Sequence, residues 1–238
     1  EARLVFEEAS EASKLDLKKL CFDGSDDDLK ATHITQPALL CVSVAIYRSM
    51  CGAEEINPQN IVYAGHSLGE YSALVCSGAL GLFDAAQLVR RRGELMQEAV
   101  PSGVGAMAAL VFKPGTDGEA AALELCKKAE AKCGKFVSVA NYNSPEQIVI
   151  SGYKDAVTAA EEIAKTENLG IRKVVMLNVS APFHCALMQP AAEKLEDNLK
   201  SAKWKACPGV RYIPNTLAEI SELGSVKECA PRLVTQIT

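Results

Sequence analysis

The chain has 238 residues, a formal net charge of −5 from 25 Lys and Arg against 30 Asp and Glu, and 48% hydrophobic side chains. That length suits one large domain, or one domain carrying a smaller insertion, with a core that needs no metal or disulfide staple. Apolar residues running through the whole chain exclude wholesale disorder, and the acidic balance argues against a nucleic-acid binder. Residues 1–20 read as a helix, with Leu4, Val5, Glu8, Ala12 and Leu15 near a 3.6 period. The N-terminus begins at Glu1 rather than Met, is amphipathic and acidic, and does not read as a secretory signal; a processed or trimmed start is expected. The run from Asp23 to Asp28 reads as a solvated loop and helix cap rather than a cation site, since an EF-hand needs further ligands at fixed positions.

Thr35-Gln36-Pro37 opens an apolar helix to about Met50, with Pro in its first turn. Its longest apolar stretch, Ala38–Ile46, is far short of the ~20 residues of a bilayer span. Asn60–Ala64 is a short buried strand candidate, followed by Gly65-His66-Ser67-Leu68-Gly69 and a helix over Glu70–Ser77. A further helix, with Leu88, Leu95 and Met96 on one face, ends near Pro101. The next stretch alternates differently: strand Gly105–Phe112, helix Gly118–Lys132, strands Phe136–Asn141 and Gln147–Ser151, helix Asp155–Asn168, strand Ile171–Leu177. That order, β-α-β-β-α-β, is the ferredoxin-like unit. Residues 102–180 are therefore expected to form a ferredoxin-like subdomain inserted in a larger α/β one made of 1–101 and 181–238. Leu187–Ser201 reads as helix, Val210–Pro214 as strand, and the end as helix.

Nine cysteines include no C-x-x-C pair, and the closest two are Cys126 and Cys133. This spacing argues against zinc, and Cys41 and Cys76 in apolar helical patterns argue against a disulfide framework. Reduced, buried thiols in a cytosolic or organelle-matrix protein are expected.

Gly65-His66-Ser67-Leu68-Gly69 fits G-x-S-x-G between a strand and a helix. A sharp turn there exposes the serine hydroxyl, glycines on both flanks avoid clashes, and the following helix aims its N-terminal amides at a developing oxyanion. The Leu68 amide is the expected donor. A serine needs a base, and there are three histidines. His33 lies in a polar segment and reads as a surface residue. His66 adjoins Ser67 on a tight turn, so it supports the turn. His184, at the start of a helix after Ala181-Pro182-Phe183, is favoured by elimination; a helix-capping or core histidine is the alternative. Of Arg90, Arg91 and Arg92, successive helical positions diverge by about 100°, so at most one or two face a given site. An arginine facing the serine would clamp a substrate carboxylate.

These motifs carry a resemblance. The runs Thr35-Gln36-Pro37-Ala38-Leu39-Leu40, GHSLGEYSALVCSGAL from Gly65, Arg92-Gly93-Glu94-Leu95-Met96-Gln97, ANYNSPEQIVISG from Ala140 and His184-Cys185-Ala186-Leu187-Met188 resemble the malonyl-CoA:acyl carrier protein transacylases of bacteria and plastids. The match is collinear over nearly the whole chain. It implies an α/β-hydrolase-like large subdomain with a ferredoxin-like small one, and ping-pong acyl transfer without a cofactor. Ser67 would be the nucleophile and His184 the base. Arg92 would pair with the malonyl carboxylate and Leu68 would lend an oxyanion amide. Phe183 would crowd an α-branched acyl group, with simple packing as its other role. His66, Met96 and Asn141 fall in the matched substrate-binding motifs. The family begins with a strand and a G-Q-G-S-Q loop and continues past Thr238 into a segment carrying a histidine-orienting glutamine. With neither present, this polypeptide is expected to be weakly active or inactive.

The implied partners are a coenzyme A thioester and acyl carrier protein, with no nucleic acid or membrane, and a monomeric state. Acyl carrier proteins are acidic, so a basic docking patch is expected at Lys127, Lys128, Lys132 and Lys135 or at Lys200, Lys203 and Lys205, with solvated helix faces as the alternative. Competing readings are an acyltransferase domain of a multidomain fatty acid or polyketide synthase, a serine thioesterase or esterase, and a non-catalytic scaffold.

Overall fold

The N-terminal periodicity produces two helices rather than one. In the computed structural model, which describes residues 1–53 and 60–238, α1 (Ala2–Ser13) stops where Lys14 turns left-handed at φ 56°. The chain restarts as α2 (Leu17–Asp23), capped by the Asp16 carboxylate on the Lys19 N–H. The acidic run is used for capping: Ser25 and Asp28 exchange side-chain and backbone hydrogen bonds and open α3 (Asp26–Leu29). This satisfies orphan N–H groups of a helix start.

α4 (Thr32–Ala53) starts three residues earlier than expected, so Pro37 lies in its second turn. There follow β1 (Val62–Ala64), α5 (Leu68–Cys76), α6 (Leu82–Ala99), β2 (Gly105–Phe112), α7 (Gly118–Cys133), β3 (Val137–Ser144), β4 (Gln147–Tyr153), α8 (Lys154–Thr166) and β5 (Ile171–Met176). A 3-10 turn at Ala186–Met188 then leads into α9 (Gln189–Ser201), β6 (Arg211–Ile213), β7 (Ser221–Glu222) and α10 (Cys229–Thr235). By length and composition α4 matches a bilayer-spanning helix, although the apolar stretch read from the sequence is shorter. It packs against both α1 and α5, burying Leu40, Cys41, Val44 and Ala45.

The chain is a mixed α/β protein of two units. One comprises Glu1–Leu95 and Glu193–Gln236; the other comprises Met96–Ala192 with Ile237–Thr238. The divisions fall within α6 and α9, whereas the sequence pattern sets them at 101/102 and 180/181. In the first unit, β6 runs parallel to β1 and antiparallel to β7, giving the sheet order β1-β6-β7. β1 is not buried throughout: Tyr63 points inward opposite Tyr212, while Val62 and Ala64 are exposed, because alternate residues of a strand face opposite sides.

The second unit holds a four-stranded antiparallel sheet in the order β3-β4-β2-β5. Alternation along β2 supplies both faces. Ala108, Leu110 and Phe112 join Leu125 of α7, Ile150 of β4 and Val157 of α8 in the main core. Met107 and Ala109, with Val149, form a smaller apolar cluster on the other face. The two helices are linked by an ion pair between Lys132 and Glu162 at 2.7 Å. All nine cysteines are free thiols. Burial pushes Cys41, Cys76 and Cys126 up to about 12.

Candidate functional site

The turn between β1 and α5 places Ser67 at φ 51°, ψ −110°, a conformation that L-residues rarely adopt. Such a residue stores on the order of 1–3 kcal/mol and persists only where its surroundings over-determine it. Here they do. Asn215, just after β6, accepts the Ser67 N–H through Oδ1 at 2.6 Å and donates from Nδ2 to the Gly65 carbonyl at 2.6 Å. The Gln236 side chain donates to the Ser67 carbonyl at 2.9 Å. Gly65 is required, since a Cβ there would collide with the Gly69 carbonyl; a Cβ on Gly69 would meet nothing within 4 Å. Only the first of the two flanking glycines is therefore imposed by crowding. His66 is exposed, and its carbonyl accepts the Gly69 N–H at 2.8 Å. Leu68 is the first residue of α5, so its N–H has no intrahelical acceptor.

Of the three consecutive arginines only Arg92 turns to the serine. Arg90 and Arg91 pair with Glu94. Arg92 is 2% exposed, and its Nη2 donates to Ser67 Oγ at 3.1 Å. The same nitrogen donates to Gln236 Oε1 at 3.0 Å, and Nη1 donates to Gln36 Oε1 at 2.7 Å. Gln36 is itself steadied by donating to Thr32 Oγ1 at 3.0 Å. Gly93 allows this approach, because a Cβ there would collide with the His33 backbone of α4. Arg92 also lies over the Tyr71 ring, 5.7 Å from its centroid. Its Nε is buried with no hydrogen-bond partner among the described residues. Burial lowers the arginine from its ordinary value, while Tyr71 and Glu70 oppose that. Burial in turn pushes the Tyr71 phenol up to about 12.

Glu70, one turn past the serine, is 2% exposed. Its Oε2 accepts the Asn215 N–H at 3.1 Å and a Gln236 amide hydrogen at 2.7 Å. Burial raises its carboxyl; the Asn215 and Gln236 hydrogen bonds and the positive Arg92 and Arg232 oppose the rise.

The second unit carries the other expected residues. His184 is not at a helix start: it has φ 58° and lies ahead of the 3-10 turn, whose first cap is Cys185. The segment is held by Cys185, whose Sγ lies 3.2 Å from the Pro182 carbonyl, and by Pro182, which packs where a Cβ on Gly105 would be. Phe183 packs against Met107, Ala109 and Val149. Met96 is buried. Asn141 lies on β3, paired in register with Val149, and is half-buried. The lysines proposed for docking are largely engaged. Lys128 pairs with Glu124 and Glu167, Lys132 with Glu162, Lys135 with Asp155, and Lys200 with Glu196.

Sequence reasoning missed Asn215, Gln236 and Glu70 as parts of this arrangement. Glu70 and Gln36 stood inside motifs already noted. Asn215 and Gln236 lay far along the chain with no local signal.

A strained serine hydroxyl on a strand-to-helix elbow, bonded to a buried cation, has the layout of a nucleophile elbow. A model of the acyl transferase domain family matches residues 6–230. The malonyl CoA-acyl carrier protein transacylase of Bacillus subtilis strain 168 is 44% identical over 237 residues, covering 99% of this chain and 70% of that protein. Its counterpart from Haemophilus influenzae is 49% identical over 198 residues, covering 83% and 60%. A malonyl-transacylase solved in complex with a type II PKS acyl-carrier protein superposes with a TM-score of 0.88 at 41% identity, covering 99% of this chain and 72% of that one. The chain belongs to the acyl transferase domain family, among the malonyl CoA-acyl carrier protein transacylases. It spans 60% of the length of the Haemophilus relative and 70% of the Bacillus one.

Proposed function

We propose that this protein moves a malonyl group from coenzyme A to the phosphopantetheine thiol of an acyl carrier protein, through a malonyl-serine intermediate, in fatty acid synthesis. One observation carries the reading: the buried Arg92 guanidinium touches the Ser67 hydroxyl at 3.1 Å, so an acyl group on that oxygen would lie beside a fixed cation. A malonyl group offers a free carboxylate to such a cation; an acetyl group does not. Losing a charge-assisted partner in a buried site costs on the order of 2–5 kcal/mol, which is enough to set acyl choice.

Ser67 Oγ attacks the thioester carbonyl and its proton passes to His184. The Leu68 amide at the positive end of α5 steadies the oxyanion. Collapse expels the coenzyme A thiolate, which takes that proton. The carrier-protein thiol then attacks the serine ester, giving its proton to His184, and the released Ser67 oxygen recovers it. Atoms and protons balance with these groups alone, so the reading calls for no cofactor. Met96, Phe183, Asn141 and His66 are assigned to the acyl and pantetheine surroundings, with Phe183 also filling an apolar cluster.

The first unit is read as α/β-hydrolase-like, supported by the parallel β1–β6 pair and the elbow. The second is read as ferredoxin-like, supported by its β-α-β-β-α-β order and its strand sequence in the sheet. The acyl carrier protein partner is supported by the complex formed by the similar malonyl-transacylase. The free thiols favour a reducing compartment, cytoplasm or organelle matrix.

The test is intact-mass spectrometry of the full-length protein after incubation with malonyl-CoA. The wild-type protein gains a malonyl adduct and Ser67→Ala does not. An unmodified wild type, or an adduct that survives Ser67→Ala, overturns the proposal. A neutral-ester hydrolase on the same elbow would keep its rate in Arg92→Ala.

A further inference from the structure

Arg92 is buried beside a carboxylate it does not bond. Its three hydrogen-bond acceptors among the described residues, Gln36 Oε1, Gln236 Oε1 and Ser67 Oγ, are all neutral oxygens. Glu70 lies in the same network, yet between it and Arg92 stands the Gln236 amide. That amide donates from Nε2 to Glu70 Oε2 at 2.7 Å and accepts from Arg92 Nη2 through Oε1 at 3.0 Å. An ionised carboxylate can only accept, and a guanidinium can only donate. The two therefore dictate which end of the Gln236 side chain faces which neighbour. The Ser67 carbonyl, also an acceptor, holds the amide the same way round at 2.9 Å.

We infer that Gln236 is a specificity-determining residue that insulates Arg92 from Glu70, keeping the guanidinium without an anionic partner so that the carboxylate of the incoming acyl group is the first anion it meets. The inference rests on the malonyl-transfer reading and deepens it. A carboxylate at position 236 would form an internal ion pair with Arg92. Malonyl would then have to displace that pair, whereas acetyl would be indifferent to it. Glu70 can keep its charge because two donors, Asn215 N–H and the Gln236 amide, are dedicated to it. It thereby steadies the elbow through Asn215 without occupying the clamp.

The experiment moves the charge across the amide. In the double variant Glu70→Gln/Gln236→Glu the total charge is conserved and the carboxylate now faces Arg92; the Ser67 carbonyl loses its Gln236 donor, a loss common to both acyl donors that cancels in their ratio. A single Gln236→Glu change would instead set two carboxylates face to face, sharing a proton, and is avoided. Acyl-enzyme formation from malonyl-CoA and from acetyl-CoA is followed by intact mass against time. The expected result is a fall of at least tenfold in the malonyl-to-acetyl ratio of kcat/KM, seen mainly as a raised KM for malonyl-CoA. Glu70→Gln alone keeps the wild-type ratio. Should the double variant fail to fold, Gln36→Glu supplies the same test from the other side of the guanidinium: the introduced carboxylate would face Nη1, and its other oxygen would accept from the Thr32 hydroxyl in place of the bond Gln36 now donates there. An equal loss with both acyl donors, or an unchanged ratio, overturns the inference. Neither outcome touches the broader reading, which stands or falls on the wild-type malonyl adduct at Ser67.

Discussion

The two units of this chain use buried space in opposite ways. In the second unit the interior is apolar apart from Ser151: Leu110, Leu125, Ile150 and Val157 meet between an antiparallel sheet and two helices, and the charged side chains pair at the surface. In the first, buried positions are given to Arg92, Glu70, Gln36 and Gln236, around a serine held in a strained conformation. Each of those polar groups would be costly alone and is tolerable because the others satisfy it. One unit is built from contacts that many apolar residues could make. The other is built from contacts that almost no substitution preserves, which is the mark of a site rather than of a scaffold.

That contrast can be broken by mutation. The largest effect is expected at Arg92→Ala, which should cut malonyl transfer on the order of 10²–10³-fold with much less effect on acetyl transfer. Parallel loss for both acyl donors, in time-resolved mass spectrometry, would show that the arginine serves the elbow's structure and not the acyl choice. Leu110→Ala in the second unit should lower unfolding free energy by about 2–5 kcal/mol, as a cavity in a packed core does. Chemical denaturation checks it, and a smaller cost would mean that the core collapses around the gap. Asn215→Ala removes two of the three side-chain bonds that hold the turn, leaving that of Gln236. It should cost about 1–3 kcal/mol and slow acylation; stopped-flow acylation at unchanged speed would mean that Gln236 alone holds Ser67.

A pH profile sharpens the picture further. Because the Glu70 carboxyl is raised from 4.5 in the folded state, the native protein holds that proton more tightly than the unfolded chain. Its contribution to stability is therefore present below the ordinary carboxylate value and is lost as pH rises through the raised one. Glu70→Gln should flatten that part of the denaturation profile, and an identical profile in the variant would remove Glu70 as its source. The smallest effect separates the two elbow glycines. Gly69→Ala, inside α5 and with open space at its Cβ, should be neutral or stabilising by up to about 1 kcal/mol. Gly65→Ala, by contrast, should unfold at clearly lower temperature; thermal melting of the pair decides it.

Local pattern made much of this molecule legible. The apolar run Gly105–Phe112 marked β2 at its observed bounds, and the strand-to-helix punctuation around Gly65–Gly69 located the elbow, because both depend on neighbours a few residues away. The break at Lys14 was not visible, since a left-handed lysine leaves no compositional trace and the apolar period runs through it. Nor did the sequence show that Cys185 and Pro182 would set His184 ahead of the helix. By itself the sequence determined most of the elements, the turn that carries Ser67 and the family to which the chain belongs. Only the tertiary structure decided that Arg92, and not Arg90 or Arg91, reaches Ser67. It alone brought Asn215 and Gln236 from the far end of the chain to hold the serine and insulate the arginine. The physical reason is that a buried polar group is stable only when its partners converge on it from several elements, and that convergence is a property of packing, which no local run of residues encodes.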